Sequence, residues 1–381
     1  MKNILFVSHD ANRAGAQILL IRFLRLLKGN PDFKFSILLK EGGIIEDEFV
    51  EIAPTYFWKR PKSTGRKSFF SKAYERIFLK DWYKREIFEA LKKQKFDLIV
   101  SNTITNGDIY PLLKQLNIPI KTYVHELEMG IQQYTKPENF LNVKILSSSF
   151  IACAESVKEN LVLNHQIDTA SIVVLPSLLP TIALEYTKDV SIHQQLKESL
   201  NIPPDAIVVG GMGTVDIRKG VDIFLQVAGK LRANPTIFFL WVGGNEFEVE
   251  YKNFQIDKKR MELTQVVFKT SVEKPLDYIS IFDIFFVSSR EDPYPLVVLE
   301  AAMLSKPIIC FDKAGGAKDF VENDCGVIVE YLNVDVVAQN IAELSLNKAL
   351  RKQMGASGRK KVLERHNEEL ALKTLINILN D

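Results

Sequence analysis

The sequence predicts an α/β protein of two doubly wound, Rossmann-like domains, and three observations predict it. A chain of 381 residues is more than one hydrophobic core usually sustains. Short continuous apolar runs, the pattern of strands buried on both faces of a parallel sheet, alternate with helical patterns. That alternation loosens from Pro176 to Pro204, where prolines and polar residues mark a linker, and then restarts. The boundary is expected near Leu184, giving domains over 1–184 and 185–365 and a terminal helical segment over 366–381.

Composition narrows the class. With 46% hydrophobic and 25% charged residues the chain reads as an ordinary soluble globular protein. Its three cysteines are scattered without a CxxC, which suits reduced thiols in a cytosolic protein and forms no metal site. The opening MKNILFVSHD enters a strand directly, and no apolar run approaches the roughly 18 residues that span a bilayer. Neither a cleaved signal nor an integral membrane segment is expected. Charge is unevenly spread: Trp58 to Arg85 carries ten Lys or Arg against two acids, in a chain whose net charge is +2.

In the first block, Asn3 to Ser8 is a buried strand, followed by the loop His9 to Ala14 and a helix opened by Gly15. Strand, Gly-bearing loop and helix make a phosphate-binding geometry, although a simple helix-entry glycine looks the same. GxGxxG and the P-loop are both absent, which counts against a dinucleotide enzyme or a kinase. Strands follow at Phe33 to Leu39 and Pro54 to Trp58. Residues 57–88 then mix basic and aromatic side chains, partly at helical spacing. Three readings stand: a solvated helix with core aromatics, attachment to an anionic membrane surface, and nucleic acid, the last without any accompanying motif. Phe96 to Asn102 and Ile118 to Val124 are further strands. His125 stands at the carboxyl end of the second, where ligands of open sheets gather and where a histidine is as often structural as functional. Phe150 to Cys153, a helix over Glu155 to Leu163 and Ile172 to Leu175 complete the block.

The second block restarts with Ala206 to Met212. Arg218, Lys219 and Gly220 then introduce a helix; a planar fork of donors, a point charge and a helix amino end together suit a diphosphate. Strands are expected at Thr236 to Val242, Gln265 to Lys269 and Ile284 to Ser288. After the last come two carboxylates, Glu291 and Asp292, a helix from Leu296 to Leu304, and a strand from Pro307 to Phe311. Asp292 and Glu300 lie eight residues apart, so both can face one ligand if the helix starts near Pro295. Acids there also serve simply to complement a helix dipole. Gly315 and Gly316 allow close backbone approach.

The segment VSSREDPYPLVVLEAAMLSKPIICF resembles the signature of the retaining glycosyltransferases of family four, which have the GT-B architecture of two Rossmann-like domains facing each other across a cleft. The resemblance implies that Asp292, with Glu291 beside it, holds hydroxyls of the donor sugar and that Glu300 holds the nucleotide ribose. It implies that Arg218 and Lys219 grip the diphosphate and that Gly15, Gly315 and Gly316 lie near donor phosphate or sugar. It places His125 near the anomeric carbon, with Glu126 a neighbour, and implies that the terminal helix within 366–381 crosses back onto the first domain. The family usually has Glu where Asp292 stands and a glycine pair where only Gly15 remains.

The function so implied is transfer of a sugar, with retention, from a nucleotide diphosphate sugar to the hydroxyl of a glycan or lipid-linked acceptor, in cell-surface polysaccharide or glycolipid biosynthesis. No metal or other cofactor is expected. The protein is placed in the cytoplasm or peripherally on the inner membrane face, through residues 57–88, with no nucleic-acid partner. Alternatives are another GT-B activity, such as a nucleotide-sugar epimerase or a pyridoxal-dependent phosphorylase, and a non-catalytic nucleotide-sugar-binding partner.

Overall fold

The apolar runs become strands because each alternates its side chains between two helical layers. In the computed structural model, which describes residues 1–59, 80–180, 183, 186 and 190–381, they form two parallel sheets with flanking helices. The chain divides into one unit of Met1–Pro176 with Ala371–Asp381, and a second of Ser177–Leu370.

The first sheet has strands β1 (Lys2–Ser8), β2 (Phe33–Leu39), β3 (Thr55–Phe57), β4 (Leu98–Asn102), β5 (Ile120–Val124), β6 (Ser149–Ala152) and β7 (Ile172–Val174), in the order β3-β2-β1-β4-β5-β6-β7. Register is continuous across the switch point, with Ser8 opposite both Leu39 and Asn102. The carboxyl ends of β1, β4 and β5 are thereby brought to one edge, where an open sheet binds ligands. Helices in this unit include α1 (Gly15–Leu27), α2 (Glu46–Ile52), α3 (Lys80–Lys93), α4 (Tyr110–Leu113), α5 (Glu128–Tyr134), α6 (Pro137–Leu146) and α7 (Glu155–Leu163). Of the basic aromatic segment, residues 60–79 lie outside the described residues. On α3, Phe88 and Leu91 are buried, while Trp82 is 59% exposed.

The second sheet has β8 (Ile207–Met212), β9 (Ile237–Val242), β10 (Val266–Lys269), β11 (Ile284–Phe286), β12 (Ile308–Phe311) and β13 (Gly326–Val329), in the order β10-β9-β8-β11-β12-β13. Its core is two-sided. Val208, Phe285, Ile308 and Cys310 face one apolar cluster, and their neighbours Val209, Ile284, Phe286, Ile309 and Phe311 face the other. In the second cluster Phe224 meets Phe239 and Trp241 edge-on and stacks on Phe286. The layers are built from α8 (Val190–Ser199), α9 (Val221–Lys230), α10 (Val249–Arg260), α11 (Pro275–Ser280), α12 (Leu296–Met303), α13 (Ala317–Val321), α14 (Val334–Leu346) and α15 (Lys348–Arg365). A last helix, α16 (Glu368–Asn380), carries the chain from the second unit back into the first.

The boundary expected near Leu184, to within about ten residues, falls on a residue outside those described; the units divide after Pro176, inside that span. Packing sets the place. Leu179, Ala183 and Ile202, within the stretch read as linker, belong to the second unit's core, and the Leu179 N–H donates to His366 O at 3.0 Å. Prolines marked the loosened pattern there but not where the core begins. Among the described residues no helix is long and apolar enough to cross a membrane.

Candidate functional site

The expected site residues fall into two clusters, one in each unit. In the first unit β1 ends at Ser8, whose hydroxyl donates to Asp10 O at 2.8 Å and turns the chain toward α1. Gly15 opens α1 and is exposed; among the described residues nothing stands near the place a Cβ would occupy and no side chain caps the helix. Behind this loop the His9 ring lies between Gln17, at 3.1 Å from Nε2, and the Thr103 hydroxyl, at 3.3 Å from Nδ1. Thr103 holds φ +74, a region costly for a β-branched residue. Its N–H donates to Tyr123 O at 2.8 Å and its hydroxyl bonds the Thr105 hydroxyl at 2.6 Å, so both sides of the residue are pinned at the end of β4.

Asn102 joins this loop to His125. Its Nδ2 donates to Ala16 O at 3.2 Å, and its Oδ1 lies 2.8 Å from His125 Nε2. Since a carbonyl only accepts, the amide orientation is set, Nε2 carries the proton, and Nδ1 is left as an acceptor. Burial, and secondarily the nearby His9, push His125 down to about 3. It is therefore neutral at ordinary pH and serves as a fixed dipole. Burial likewise lowers His9, against the pull of Asp10. Glu126 turns inward and accepts from the N–H groups of His125 at 2.9 Å and Ile104 at 3.5 Å, yet burial outweighs these bonds and raises it to about 7.

In the second unit the loop after β8 is shaped by Asp216, which accepts from the Lys219 N–H at 2.7 Å and from the Thr214 hydroxyl at 2.8 Å. This turn aims Lys219 back across Gly213, where a Cβ would lie 3.2 Å from Lys219 Cε. The ammonium pairs with the Asp292 carboxylate, and both side chains are largely buried. Arg218 donates through Nη1 to Glu291 O at 3.0 Å, while its own carbonyl accepts from Arg290 N at 2.8 Å. The two basic residues thus hold the acidic loop by side chain and by backbone.

Asp292 is locked from the other side as well. Its N–H donates to Ala314 O at 2.6 Å, it bridges Gly315, and Gly316 N–H donates to the carbonyls of Asp292 at 3.1 Å and Pro293 at 3.0 Å. Gly315 has φ +114, so the close approach does require glycine there. Gly316, by contrast, spends its N–H within the loop. Of the two adjacent acids, Asp292 is the one paired with Lys219; Glu291 contributes its carbonyl to Arg218. α12 begins directly after Pro295, without a side-chain cap and with no acid in its first turn. Glu300 stands in its second turn, half-buried. Among the described residues no group of three or more His, Cys, Asp or Glu could hold a metal ion.

Sequence reasoning missed His9, Asn102 and Thr103 in the first cluster and Asp216 and Arg290 in the second. Arg290 grips Asp222 in the first turn of α9 through two bonds of 2.7 Å, which raises its pKa further. The two are 68 residues apart and nothing local in either stretch announces the other.

Comparison with known proteins agrees with this geometry. Residues 193–361 match the family described as glycosyl transferases group 1. The matched stretch lies within the second unit. It contains the whole second cluster, from Gly213 to Gly316. A poly(ribitol-phosphate) α-N-acetylglucosaminyltransferase of Staphylococcus aureus strain COL is 25% identical over 176 residues, covering 45% of this chain and 35% of that one. An α-galactosylglucosyldiacylglycerol synthase of Streptococcus pneumoniae is 30% identical over 122 residues, covering 31% and 32%. The chain thus spans about a third of the length of these curated relatives. At the level of fold the likeness is complete: the crystal structure of Anabaena HepE in complex with UDP-glucose superposes with a TM-score of 0.82 at 16% identity, covering 100% of both chains. The architecture is GT-B.

Proposed function

We propose that this protein is a retaining glycosyltransferase that moves a sugar from a nucleotide diphosphate sugar to an acceptor hydroxyl in the synthesis of a cell-surface polysaccharide or glycolipid. The observation that carries this reading is the Lys219–Asp292 pair held between the Arg218 loop and the Gly315 loop. A cation fixed beside a carboxylate suits a molecule with a diphosphate next to a sugar hydroxyl: Lys219 and Arg218 take the phosphates and Asp292 accepts from the sugar. Glu300, one turn further along α12, takes the ribose.

In the reaction the bond from the anomeric carbon to the diphosphate oxygen breaks while that carbon bonds the acceptor oxygen on the same face. The acceptor proton passes to the departing diphosphate oxygen, so no enzymic base is required. Lys219 and Arg218 stabilise the negative charge that develops on the diphosphate, which is electrostatic catalysis by groups already in place. The same two cations stand where other enzymes use a metal, and none is proposed here. His125, neutral and oriented by Asn102, contributes its Nδ1 acceptor to the sugar or acceptor hydroxyls.

A uridine diphosphate sugar is the first donor to try, because the Anabaena structure holds UDP-glucose. Polyol-phosphate polymers and glycosylated diacylglycerols are the first acceptors, after the names of the two relatives. Purified protein would be incubated with a donor panel in the presence of chelator, and nucleotide diphosphate release followed with each acceptor. Release from one donor should fall about 100-fold or more in Lys219→Ala and in Asp292→Asn. The product's anomeric configuration, read by NMR, should match the donor's. If no nucleotide sugar reacts or raises the melting temperature, the reading fails.

An inner-face membrane site for this cytoplasmic protein is favoured by the exposed Trp82 next to Tyr83, Lys84 and Arg85 on α3. Flotation with anionic vesicles that is lost in Trp82→Ala with Lys84→Glu would support it, and equal flotation with neutral vesicles would remove it.

A further inference from the structure

Once both clusters are assigned, one buried histidine has no part in either. His366 lies between α15 and α16, 6% exposed, and its environment lowers its pKa chiefly by burial. Nδ1 stands 2.7 Å from Ser177 O, and Nε2 stands 3.1 Å from the Tyr294 hydroxyl. A carbonyl only accepts, so Nδ1 carries the proton and Nε2 accepts from the Tyr294 O–H. The His366 carbonyl accepts in turn from the Leu179 N–H at 3.0 Å. The ring itself packs 5.7 Å from both Tyr294 and Phe320.

These partners are far apart in sequence and have a common meaning in the chain's path. The chain passes between its units twice, after Pro176 and after Leu370. Ser177 is the first residue beyond one passage, and His366 comes shortly before the other. Tyr294 sits in the loop of Asp292, directly before the Pro295 that opens α12. One imidazole therefore fastens the two passages to each other and fastens both to the loop that carries Asp292.

We propose that His366, acting through Tyr294, is a positioning residue that couples the two chain passages to the Asp292 loop. Apolar packing alone would fill the space between α15 and the loop, whereas a ring with both nitrogens committed in opposite directions transmits a displacement from one side to the other. The loop and the passages then stiffen or loosen together. The coupling itself stands on these bonds; only its use in donor binding rests on the reading given above.

Tyr294→Phe tests it by removing one hydroxyl and keeping the ring. Amide hydrogen exchange would be followed at Leu179, which donates to His366, at Asp292 and Gly316 in the loop, and along β9 as an internal reference. Without ligand, exchange at Leu179 relative to β9 should rise about tenfold together with that at Asp292 and Gly316, the scale of one lost hydrogen bond. His366→Phe, which keeps an aromatic ring and removes both bonds, should give the same pattern. Acceleration confined to the loop, with the Leu179 to β9 ratio unchanged in both variants, would overturn the coupling. In a second arm, saturating UDP should slow Leu179 exchange in the unaltered protein and leave it unchanged in Tyr294→Phe. Protection of the loop by UDP without protection of Leu179 would also overturn it. UDP that alters no amide counts against the donor reading, while the ligand-free comparison still decides the coupling.

Discussion

At the scale of single residues the first cluster shows how burial sets protonation. His125 and Glu126 are adjacent, and burial moves both toward neutrality, the histidine down to about 3 and the carboxyl up to about 7. Their effects on stability have opposite signs. The folded protein keeps the Glu126 proton up to about pH 7, whereas an unfolded chain releases it near 4.5; this contribution is full below 4.5 and is lost as pH rises through 7. For His125 the neutral form is favoured by folding, so its contribution is full above 6.5 and is lost as pH falls toward 3. Glu126→Gln isolates the first of these, because the amide oxygen still accepts from the His125 and Ile104 N–H groups while no charge forms. The variant should match the unaltered protein below pH 4.5 and become more stable as pH rises, by as much as about 3 kcal/mol at pH 8. Urea denaturation across pH 4 to 8 measures it, and parallel curves at every pH would refute it. His125 was legible at the end of its strand. Its state was not, because protonation depends on Asn102 and on a burial that no local pattern encodes.

At the scale of elements, strand and helix positions were largely legible because parallel strands buried on both faces leave unbroken apolar runs. Phe33 to Leu39 and Glu155 to Leu163 appear with the expected bounds. The helix of Glu300 starts where Pro295 suggested, which puts Asp292 before its amino end and Glu300 in its second turn. Less legible were α5, α6 and α8, short or weakly patterned helices whose form depends on what they pack against. Loop shape was the hardest, since the turn at Asp216, the lock at Gly315 and the Arg290–Asp222 fork join residues distant in sequence. Gly220 illustrates the point. The RKG motif marked it as a helix entry, but the structure gives two further reasons for glycine: φ is +68, and a Cβ would lie 2.0 Å from Ser288 O. Its own N–H donates to Ile217 O at 3.2 Å, closing the loop that presents Lys219. Gly220→Ala combines a left-handed backbone with a clash against main chain that cannot rotate away. It should cost about 2 to 5 kcal/mol and weaken UDP binding through displacement of Lys219. Calorimetry checks the first effect and titration with UDP the second; a variant of unchanged melting temperature would show that the loop relaxes freely.

At the scale of the whole molecule, each unit has its own sheet and core, and α16 binds the end of the chain into the first of them. The sequence showed a doubly wound pattern repeated, but not that Leu179, Ala183 and Ile202 would join the second core, since a proline-rich stretch reads as linker until its apolar side chains find a surface. For α16 the family resemblance supplied what the helix's own pattern does not encode, its return to the first unit, since its partners lie more than 250 residues away. Lys2 Nζ donates to Leu379 O at 2.5 Å, and Lys121 Nζ donates to Ile378 O at 2.8 Å, so two cations of the first sheet meet the carboxyl end of the helix, where its dipole favours positive charge. Leu375, Ile378 and Leu379 are buried on this helix. Each such side chain contributes about 1.5 to 3 kcal/mol, so deletion of residues 371–381 should remove several kcal/mol from the first unit, a large part of what a domain of this size possesses. The second unit keeps its core, its Lys219–Asp292 pair and its Tyr294–His366 bond, because all of these lie before residue 371. The shortened protein should therefore unfold in two separated thermal transitions. Saturating UDP should raise only the later one, since a ligand stabilises the unit that binds it. A single transition that moves as a whole with UDP would mean that the two units fold as one cooperative body, and that α16 is not what holds the first unit together.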